Sequence, residues 1–372
     1  MRRALSIASC VLALSLAACG SPASDTDAAL VDAATVDAAV PHGIRWAMGP
    51  ALPTPLAYAT AVVLGIGETD YYVYVFGGSS ALRNDLVTIS SAVYRSRIEG
   101  DSLGPWEPMG DIAPGGVVQG LVGHGALPIR DAMGNPGATF GGGGSSSGTL
   151  PVILAVYADP TDGHLFDWSR YPQVLADGQL FGAFVPVTPF DDALVGGLVH
   201  GTYSDRVVIA STRNGETRTT WTDGPSLPEP RARQSWVLFH NAIYLVGGEN
   251  DGGPVGAVTR TTLDTAGNVT GWEHAGSIAS PPVAGAAFVR QGELWLVGGV
   301  EGRTFDGAAS THVRHGAFDG DGQVGAFEDA DPLPLSLAAS ALATDFTHYF
   351  LVGGQTGADL EATDQVVIGT AY

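Results

Sequence analysis

Short apolar runs separated by polar turns recur from about residue 44 to the end of the chain. Their brevity, and the glycine, proline and Asx signals between them, predict short β-strands. Six of the runs end in a double glycine. They are YVYVFGG at 77–78, ATFGG at 141–142, ALVGG at 196–197, IYLVGG at 247–248, LWLVGG at 298–299 and YFLVGG at 353–354.

An aromatic residue lies upstream of each double glycine: Trp46, Trp106, Trp168, Trp221, Trp272 and Phe327. The last three intervals from aromatic residue to glycine are each 26 residues, and the aromatic positions recur every 51 to 62 residues. Between these landmarks the pattern predicts four short strands per unit, joined by turns and one longer polar loop. This is the expected organisation of a β-propeller blade.

A double glycine after a β-rich run, with a tryptophan about 26 residues before it, resembles the kelch repeat of galactose-oxidase-like propellers. The resemblance covers residues 44–372 and implies an all-β fold, a six-bladed kelch-type β-propeller with four-stranded antiparallel blades. The chain ends after the third strand of its last unit, at 364–370, and starts with a lone aromatic strand at 43–49. We therefore expect the N-terminal strand to supply the outer strand of the last blade and to close the ring.

The repeat accounts for much of the glycine content, which is 52 of 372 residues. Blade sheets crowd together near the propeller axis, so glycine at the end of the second strand allows close backbone approach or a positive φ. The aromatic residue on the outer strand is expected to fill the widening gap between blades. Neither role requires a ligand.

The charge balance excludes one class of partner. The chain has 38 acidic and 17 basic residues, a formal net charge of −21, and no lysine. Such a surface repels phosphate backbones, so we expect no nucleic-acid partner.

Residues 1–18 are predicted to be a lipoprotein signal peptide. Arg2 and Arg3 precede an apolar run at 4–16, which has the length of a signal sequence and is short for a membrane span. The LAAC sequence that follows resembles the bacterial lipoprotein box, which implies cleavage before Cys19 and lipidation of its thiol. The alternative is an ordinary signal peptide in which Cys19 is incidental.

Residues 19–42 are small, acidic and without aromatic side chains, and they are predicted to form a lipidated flexible tether for a propeller at 43–372. Cys10 would leave with the signal, so the mature chain would have no disulfide or cysteine metal ligand. The expected location is the bacterial cell envelope, with the protein lipid-anchored. Gly20, rather than aspartate, after the cysteine favours the outer membrane if the cell is Gram-negative.

Recognisable chemical motifs are few. The copper oxidases of this fold need a cysteine crosslinked to tyrosine, which the mature chain would lack, and we expect no cofactor. His312 and His315 are three residues apart on a predicted strand and point to opposite faces, so no shared metal is expected. Residues 319–322, DGDG, start like a calcium loop but lack its later ligands, which favours a hairpin turn. Residues 144–148, GSSSG, have no helix after them and are interpreted as a flexible loop.

The longer loops, after the double glycines and after the aromatic strands, are expected to share one face, which we call the mouth. Arginines and carboxylates there suit a sugar, a carboxylate or a peptide, or are ordinary solvated loop polarity. Arg231, Arg233 and Glu249 are favoured because they come from the most regular unit. The full set of ligand-binding candidates is Arg231, Arg233, Glu249, Asn250, His200, Arg83 and Arg303.

Three functions fit the sequence. The leading interpretation is a non-catalytic, envelope-anchored scaffold that binds a protein or glycan, because no catalytic set is recognisable. The alternative is a carbohydrate-active enzyme of the sialic acid mutarotase or epimerase type, as the resemblance to some bacterial six-bladed kelch propellers implies. Glu249 with Arg231 or Arg233 would then supply acid–base catalysis on a sugar acid. The third is a structural part of an envelope assembly.

Overall fold

The computed structural model describes residues 43–83, 85–112, 120–146, 148–151, 153–170, 175–188, 191–211, 220–264, 268–304 and 306–372. The predicted signal peptide, the Cys19 lipidation site and the tether lie outside these residues. Within these ranges, no helix has the length and apolarity needed to cross a membrane.

The described residues form antiparallel β-sheets, and six of these sheets have four main strands each; we number them blades 1 to 6. Blades 1 to 3 comprise Thr60–Ile66, Asp70–Phe76, Ala92–Glu99 and Glu107–Asp111; Val122–Arg130, Pro136–Ser145, Ile153–Ala158 and Leu165–Arg170; and Ala183–Thr188, Asp191–Val195, Val207–Ser211 and Thr220–Asp223. Blades 4 to 6 comprise Ser235–Phe239, Ala242–Val246, Ala257–Leu263 and Val269–Ser277; Ala286–Arg290, Glu293–Val297, Val313–Ala317 and Glu328–Asp329; and Ala341–Thr344, His348–Val352, Val366–Ala371 and Ile44–Met48.

Short strands follow the double glycines and pair as mouth hairpins. In chain order they are Ser79–Leu82 with Asp85–Ile89, the end of Pro136–Ser145 with Gly148–Thr149, Leu198–Val199 with Thr202–Tyr203, Glu249–Asn250 with Gly253–Pro254, Val300–Glu301 with Ala308–Ala309, and Gln355–Thr356 with Glu361–Ala362. The hairpins of blades 1 and 6 join into one four-stranded sheet, which we call the mouth sheet. One more short strand, Ser102–Leu103, extends blade 1.

The predicted unit of four antiparallel strands is confirmed, and two details of the second unit are corrected. Its glycine pair is Gly142–Gly143, with φ of 69° and 84°, rather than 141–142. The GSSSG segment was interpreted as a flexible loop, but it is the blade 2 mouth hairpin, in which Ser145 pairs with Gly148. The extra glycines of this run hid the register, because any adjacent pair satisfies the pattern.

Apolar clusters between neighbouring blades hold the sheets together. Each predicted outer-strand aromatic packs against a different cluster, and in every case that cluster includes the preceding blade. Trp168 of blade 2, for example, lies edge-on to Phe76 of blade 1 at 6.3 Å between ring centroids. The Trp106 and Trp272 indoles also donate hydrogen bonds, to the carbonyls of Pro50 and Pro225. These contacts support the predicted gap-filling role.

The glycine pairs join each blade to the next. In blade 4, Gly247 has φ of 64°, and a methyl group there would overlap the carbonyl oxygen of Pro282 in the following segment. The Gly248 N–H donates to that same carbonyl at 2.9 Å. Only glycine combines this φ with so close an approach. The equivalent donors are Gly78, Gly143, Gly197, Gly248, Gly299 and Gly354, and their acceptors are Leu121, Gln179, Arg231, Pro282, Leu337 and Leu56.

Two residues beyond each of these acceptor carbonyls, the backbone forms a circle of hydrogen bonds. Each residue of this axial circle donates its N–H to the carbonyl of the residue from the preceding blade, over 2.7 to 3.0 Å, and the sixth bond returns to the first residue. All six have φ between 52° and 62°. The axial circle consists of Tyr58, Gly123, Phe181, Arg233, Ala284 and Ala339.

The N-terminal strand lies in blade 6, beside the last strand of the chain. Ile44 pairs with Ala371 and Met48 with Val367, in antiparallel register. Ile44 is buried against the cluster between blades 5 and 6. The strand therefore contributes both a backbone ladder and a buried side chain to the final sheet.

Deletion of residues 44–50 is expected to lower the melting temperature by several degrees, since it exposes the last strand and removes the buried Ile44. Thermal unfolding followed by circular dichroism measures the effect. Deletion of residues 30–36, in the predicted tether, is the length-matched control and should leave the transition unchanged. Equal melting temperatures for the two deletions would contradict this role of the N-terminal strand.

Candidate functional site

Three large side chains meet at the axial circle. Three of its positions carry glycine or alanine, whereas Tyr58, Phe181 and Arg233 fill the centre. The Tyr58 and Phe181 rings lie 4.8 Å apart, and the Arg233 guanidinium lies over the Phe181 ring at 4.3 Å. An aromatic face stabilises such a cation, and more so when both are shielded from water.

Arg233 also forms a buried ion pair with Glu249. Arg233 Nη1 donates to Glu249 Oε1 at 2.9 Å, and the two side chains are 6% and 0% exposed. The Thr304 hydroxyl donates to the same oxygen at 2.8 Å, and the Thr304 N–H reaches Oε2 at 3.3 Å. Because Glu249 follows a double glycine and its backbone bridges Ala232, the repeat itself places its carboxylate beside the axis.

Tyr203 and Arg303 border this ion pair on the side of the mouth hairpins. Burial and the negative charge of Glu249 raise the pKa of the Tyr203 hydroxyl, against the opposing effect of the Arg233 and Arg303 cations. Tyr203 therefore stays protonated at neutral pH. We call Arg233, Glu249, Tyr203, Arg303 and Thr304 the axial cluster; it combines a carboxylate, two cations and two hydroxyls within one side of the mouth.

The mouth hairpins are tied together over the axis. Leu82 of blade 1 pairs with Glu361 of blade 6, which creates the mouth sheet. The Arg83 guanidinium donates to the carbonyls of Gly307, at 3.1 Å, and Ala358, at 2.7 Å, in the hairpins of blades 5 and 6. Arg303 donates in the same way to a carbonyl in the blade 4 hairpin, over 2.5 Å. The mouth is thus closed by backbone contacts that two predicted arginines make.

The structure separates the predicted site residues. It brings Arg233, Glu249 and Arg303 together and places Arg83 in the mouth sheet. Arg231 is 1% exposed, and its guanidinium binds the Leu245 carbonyl and the Thr259 hydroxyl inside blade 4. The site proposed below therefore leaves Arg231 out.

Two other candidates lie at the edge of the mouth. Asn250 donates to the Glu229 carboxylate at 3.2 Å, next to the axial cluster. His200 is exposed and lies 3.2 Å from the Asp177 carboxylate. Neither is among the residues that enclose Glu249.

Sequence reasoning missed Tyr58 and Phe181. An available signal was the offset from the glycine pair. Arg233, Ala284 and Ala339 each precede the first glycine of their pair by 14 residues, and Tyr58 precedes Gly77 by 19 because its intervening hairpin is longer. Aligning the units on their glycine pairs and allowing for this hairpin finds the two aromatic residues.

The histidines noted in the sequence have separate partners. His312 Nδ1 lies 2.6 Å from Glu301, and His315 Nδ1 lies 3.3 Å from Glu293. A different histidine, His124, is buried against Phe140, and burial lowers its pKa from 6.5 to about 3. It is therefore neutral in the folded protein.

The DGDG segment is a hairpin turn, as expected. The Asp319 carboxylate accepts hydrogen bonds from the N–H groups of Asp321, at 2.9 Å, and Gln323, at 2.8 Å. Blade 4 holds this turn, since the Tyr244 hydroxyl donates to the Gly322 carbonyl at 2.8 Å.

Blade 1 holds the corresponding turn of blade 2 in the same way. The Tyr74 hydroxyl donates to the Gly163 carbonyl at 2.7 Å, and Arg95 donates to the Asp162 carbonyl at 2.5 Å. Buried tyrosine hydroxyls on blades 1 and 4 are thus satisfied by a neighbouring turn.

No family model and no curated protein matches the chain. Among solved structures, the chain is similar to YjhT, a kelch-type sialic acid mutarotase, with a TM-score of 0.62. The similarity covers 86% of this chain and 96% of that one at 15% identity, a level that is informative about fold. The fold is that of a kelch-like β-propeller.

Breaking the buried ion pair from either side should destabilise the propeller. Arg233→Met leaves Glu249 as an unpaired buried charge and Glu249→Leu does the reverse, so each is expected to cost about 3–5 kcal/mol of unfolding free energy. The double variant, with no uncompensated charge, should cost much less than the sum, as measured by chemical denaturation. Additive costs would contradict the direct pairing.

Proposed function

We propose that this propeller binds an acidic sugar at its mouth and interconverts the anomers of that sugar, as a mutarotase of the sialic acid type. The observation that carries the proposal is the axial cluster, which places the Glu249 carboxylate, Arg233 and the protonated Tyr203 hydroxyl together at the axis. The fold similarity to a sialic acid mutarotase, over most of both chains, supports it.

The chemistry asks only for a proton acceptor and a proton donor. Mutarotation removes the proton of the anomeric hydroxyl while the ring oxygen gains one; the ring C–O bond breaks, and the open carbonyl form closes again on its other face. No electrons are transferred. In our proposal Glu249 accepts the first proton through Oε2, which has only the longer contact to Thr304, and Tyr203 donates the second. General acid–base pairs of this kind contribute about 10²- to 10⁴-fold to rate.

The cations would recognise the sugar carboxylate. Arg303 is half-buried at the border of the axial cluster and faces the substrate side in this proposal, whereas Arg233 is committed to Glu249. Because Glu249 is fully covered, the blade 5 hairpin that carries Thr304 and Arg303 must shift to admit the substrate. Arg303 is held by one carbonyl of the blade 4 hairpin, which limits what such a shift has to break.

The mutarotase proposal predicts that the wild-type protein accelerates anomer exchange of N-acetylneuraminic acid, measured by NMR exchange spectroscopy. Glu249→Gln keeps an acceptor for Arg233 but removes the base, so the rate should fall about 100-fold or more. Glu328→Gln, at an exposed position on an outer strand, is the matched control and should leave the rate unchanged. Wild-type exchange no faster than in buffer would overturn the proposal.

A second function is favoured by the full burial of Glu249. A non-catalytic, envelope-anchored scaffold for a protein or glycan needs no accessible carboxylate, and the mouth sheet exposes Leu82 and Val87 at 47% and 66%. Under this alternative, a glycan array or crosslinking in the envelope would show binding that Val87→Asp abolishes and Glu249→Gln does not.

We also propose that the six sheets form one closed ring of six blades, completed by the N-terminal strand. The axial circle supports this, because its six hydrogen bonds visit one residue from each blade and return to the first. The pairing of Ile44–Met48 with Val366–Ala371 supports it independently.

We further propose that residues 1–18 direct export, that Cys19 is lipidated, and that residues 19–42 tether the propeller to the cell envelope, in the outer membrane of a Gram-negative cell. The lipoprotein box at the end of the apolar run supports this.

Cys19→Ala is expected to release the protein from the membrane fraction, because the thiol that would carry the lipid is gone. Cell fractionation followed by immunoblotting measures it, and Cys10→Ala, within the signal peptide, is the matched control that should stay with the membranes. Membrane retention of the Cys19 variant would contradict lipid anchoring at this residue.

A further inference from the structure

Tyr58 occupies a costly position in the axial circle. Its φ is 54°, a left-handed conformation that bulky residues rarely adopt and that costs about 1–3 kcal/mol. The same circle accepts Gly123 or an alanine at three of its positions, so the architecture does not demand a large side chain. The aromatic ring has an evident role, since it packs on Phe181.

The hydroxyl group of Tyr58 has no such role in the folded chain. Among the tyrosines of the described residues, it is the only fully buried hydroxyl without a hydrogen-bond partner. The contrast with Tyr74 and Tyr244 is direct, because both of their hydroxyls donate to turn carbonyls. A buried polar group left unpaired costs about 1–3 kcal/mol, and a phenylalanine would avoid that cost.

The surroundings of this hydroxyl define what it can bind. The Arg233 guanidinium approaches it without reaching hydrogen-bond geometry, and the Glu249 carboxylate lies beyond. Burial raises the pKa of Tyr58 and outweighs the opposing effect of Arg233. The hydroxyl is therefore protonated, able to donate to a carboxylate or ether oxygen and to accept from a sugar hydroxyl.

We propose that Tyr58 is a ligand-contacting residue of the propeller mouth, and that its hydroxyl hydrogen-bonds an oxygen of the bound acidic sugar next to Arg233. This inference rests on the proposed function, since it takes the same ligand and the same axial position. It adds a residue from blade 1 to a site that is otherwise drawn from blades 3, 4 and 5. The sugar then contacts opposite sides of the axial circle.

The test compares Tyr58→Phe with Tyr74→Phe, which removes a hydroxyl that the protein itself satisfies. Thermal unfolding without ligand should show Tyr58→Phe at or above the wild-type melting temperature, because an unpaired buried group is removed, and Tyr74→Phe below it. Calorimetric titration with N-acetylneuraminic acid should show about tenfold weaker binding for Tyr58→Phe and wild-type binding for Tyr74→Phe.

Each outcome separates this inference from the proposed function. If Tyr58→Phe binds the sugar as tightly as wild type, the hydroxyl is satisfied by water and the inference fails, whereas the mutarotase proposal stands. If Tyr58→Phe melts as far below wild type as Tyr74→Phe, the hydroxyl has a structural partner and the inference also fails. If the wild-type protein binds no acidic sugar, the proposed function fails first.

Discussion

The axial circle of six backbone hydrogen bonds is the constraint from which the rest of the molecule follows. Each member must adopt a left-handed conformation to present its N–H to one neighbour and its carbonyl to the other. Five of the six are not glycine, so the circle holds several strained residues at once. Packing between blades and the glycine-pair bonds offset that cost. In return, the circle fixes where each inner strand begins, and therefore which side chains reach the axis.

Because the circle fixes six positions, chemical identity at those positions decides what the mouth can do. Small residues from blades 2, 5 and 6 leave room, and Tyr58, Phe181 and Arg233 fill it with a stacked aromatic pair and a cation. Glu249 enters from the residue after a glycine pair, so the same repeat that builds the fold delivers the counterion. A regular scaffold thus carries an asymmetric site without any departure from its backbone pattern.

The fold was accessible from the sequence because its landmarks are local. Glycine pairs and outer-strand aromatics are imposed by contacts that every blade repeats, so they recur at readable intervals. The site was accessible only in part. Arg231 and Arg233 are two residues apart and chemically identical, yet one side chain enters blade 4 and the other reaches the axis. No local pattern separates them, since the difference lies in a positive φ at Arg233. The mouth sheet was missed because it joins Leu82 to Glu361, whose segments are far apart in the chain.

The place of the N-terminal strand has a consequence for how the molecule comes into being. Ile44–Met48 is the first strand to be synthesised, and its partner, Val366–Ala371, is the last. Until the ribosome has finished, the first strand has an unpaired edge, and bringing it to its partner closes a loop that spans nearly the whole domain. Such non-local pairing is slow compared with the formation of hairpins within a blade. Incomplete chains therefore cannot finish their last sheet, and truncated products keep an open edge that marks them for degradation or aggregation.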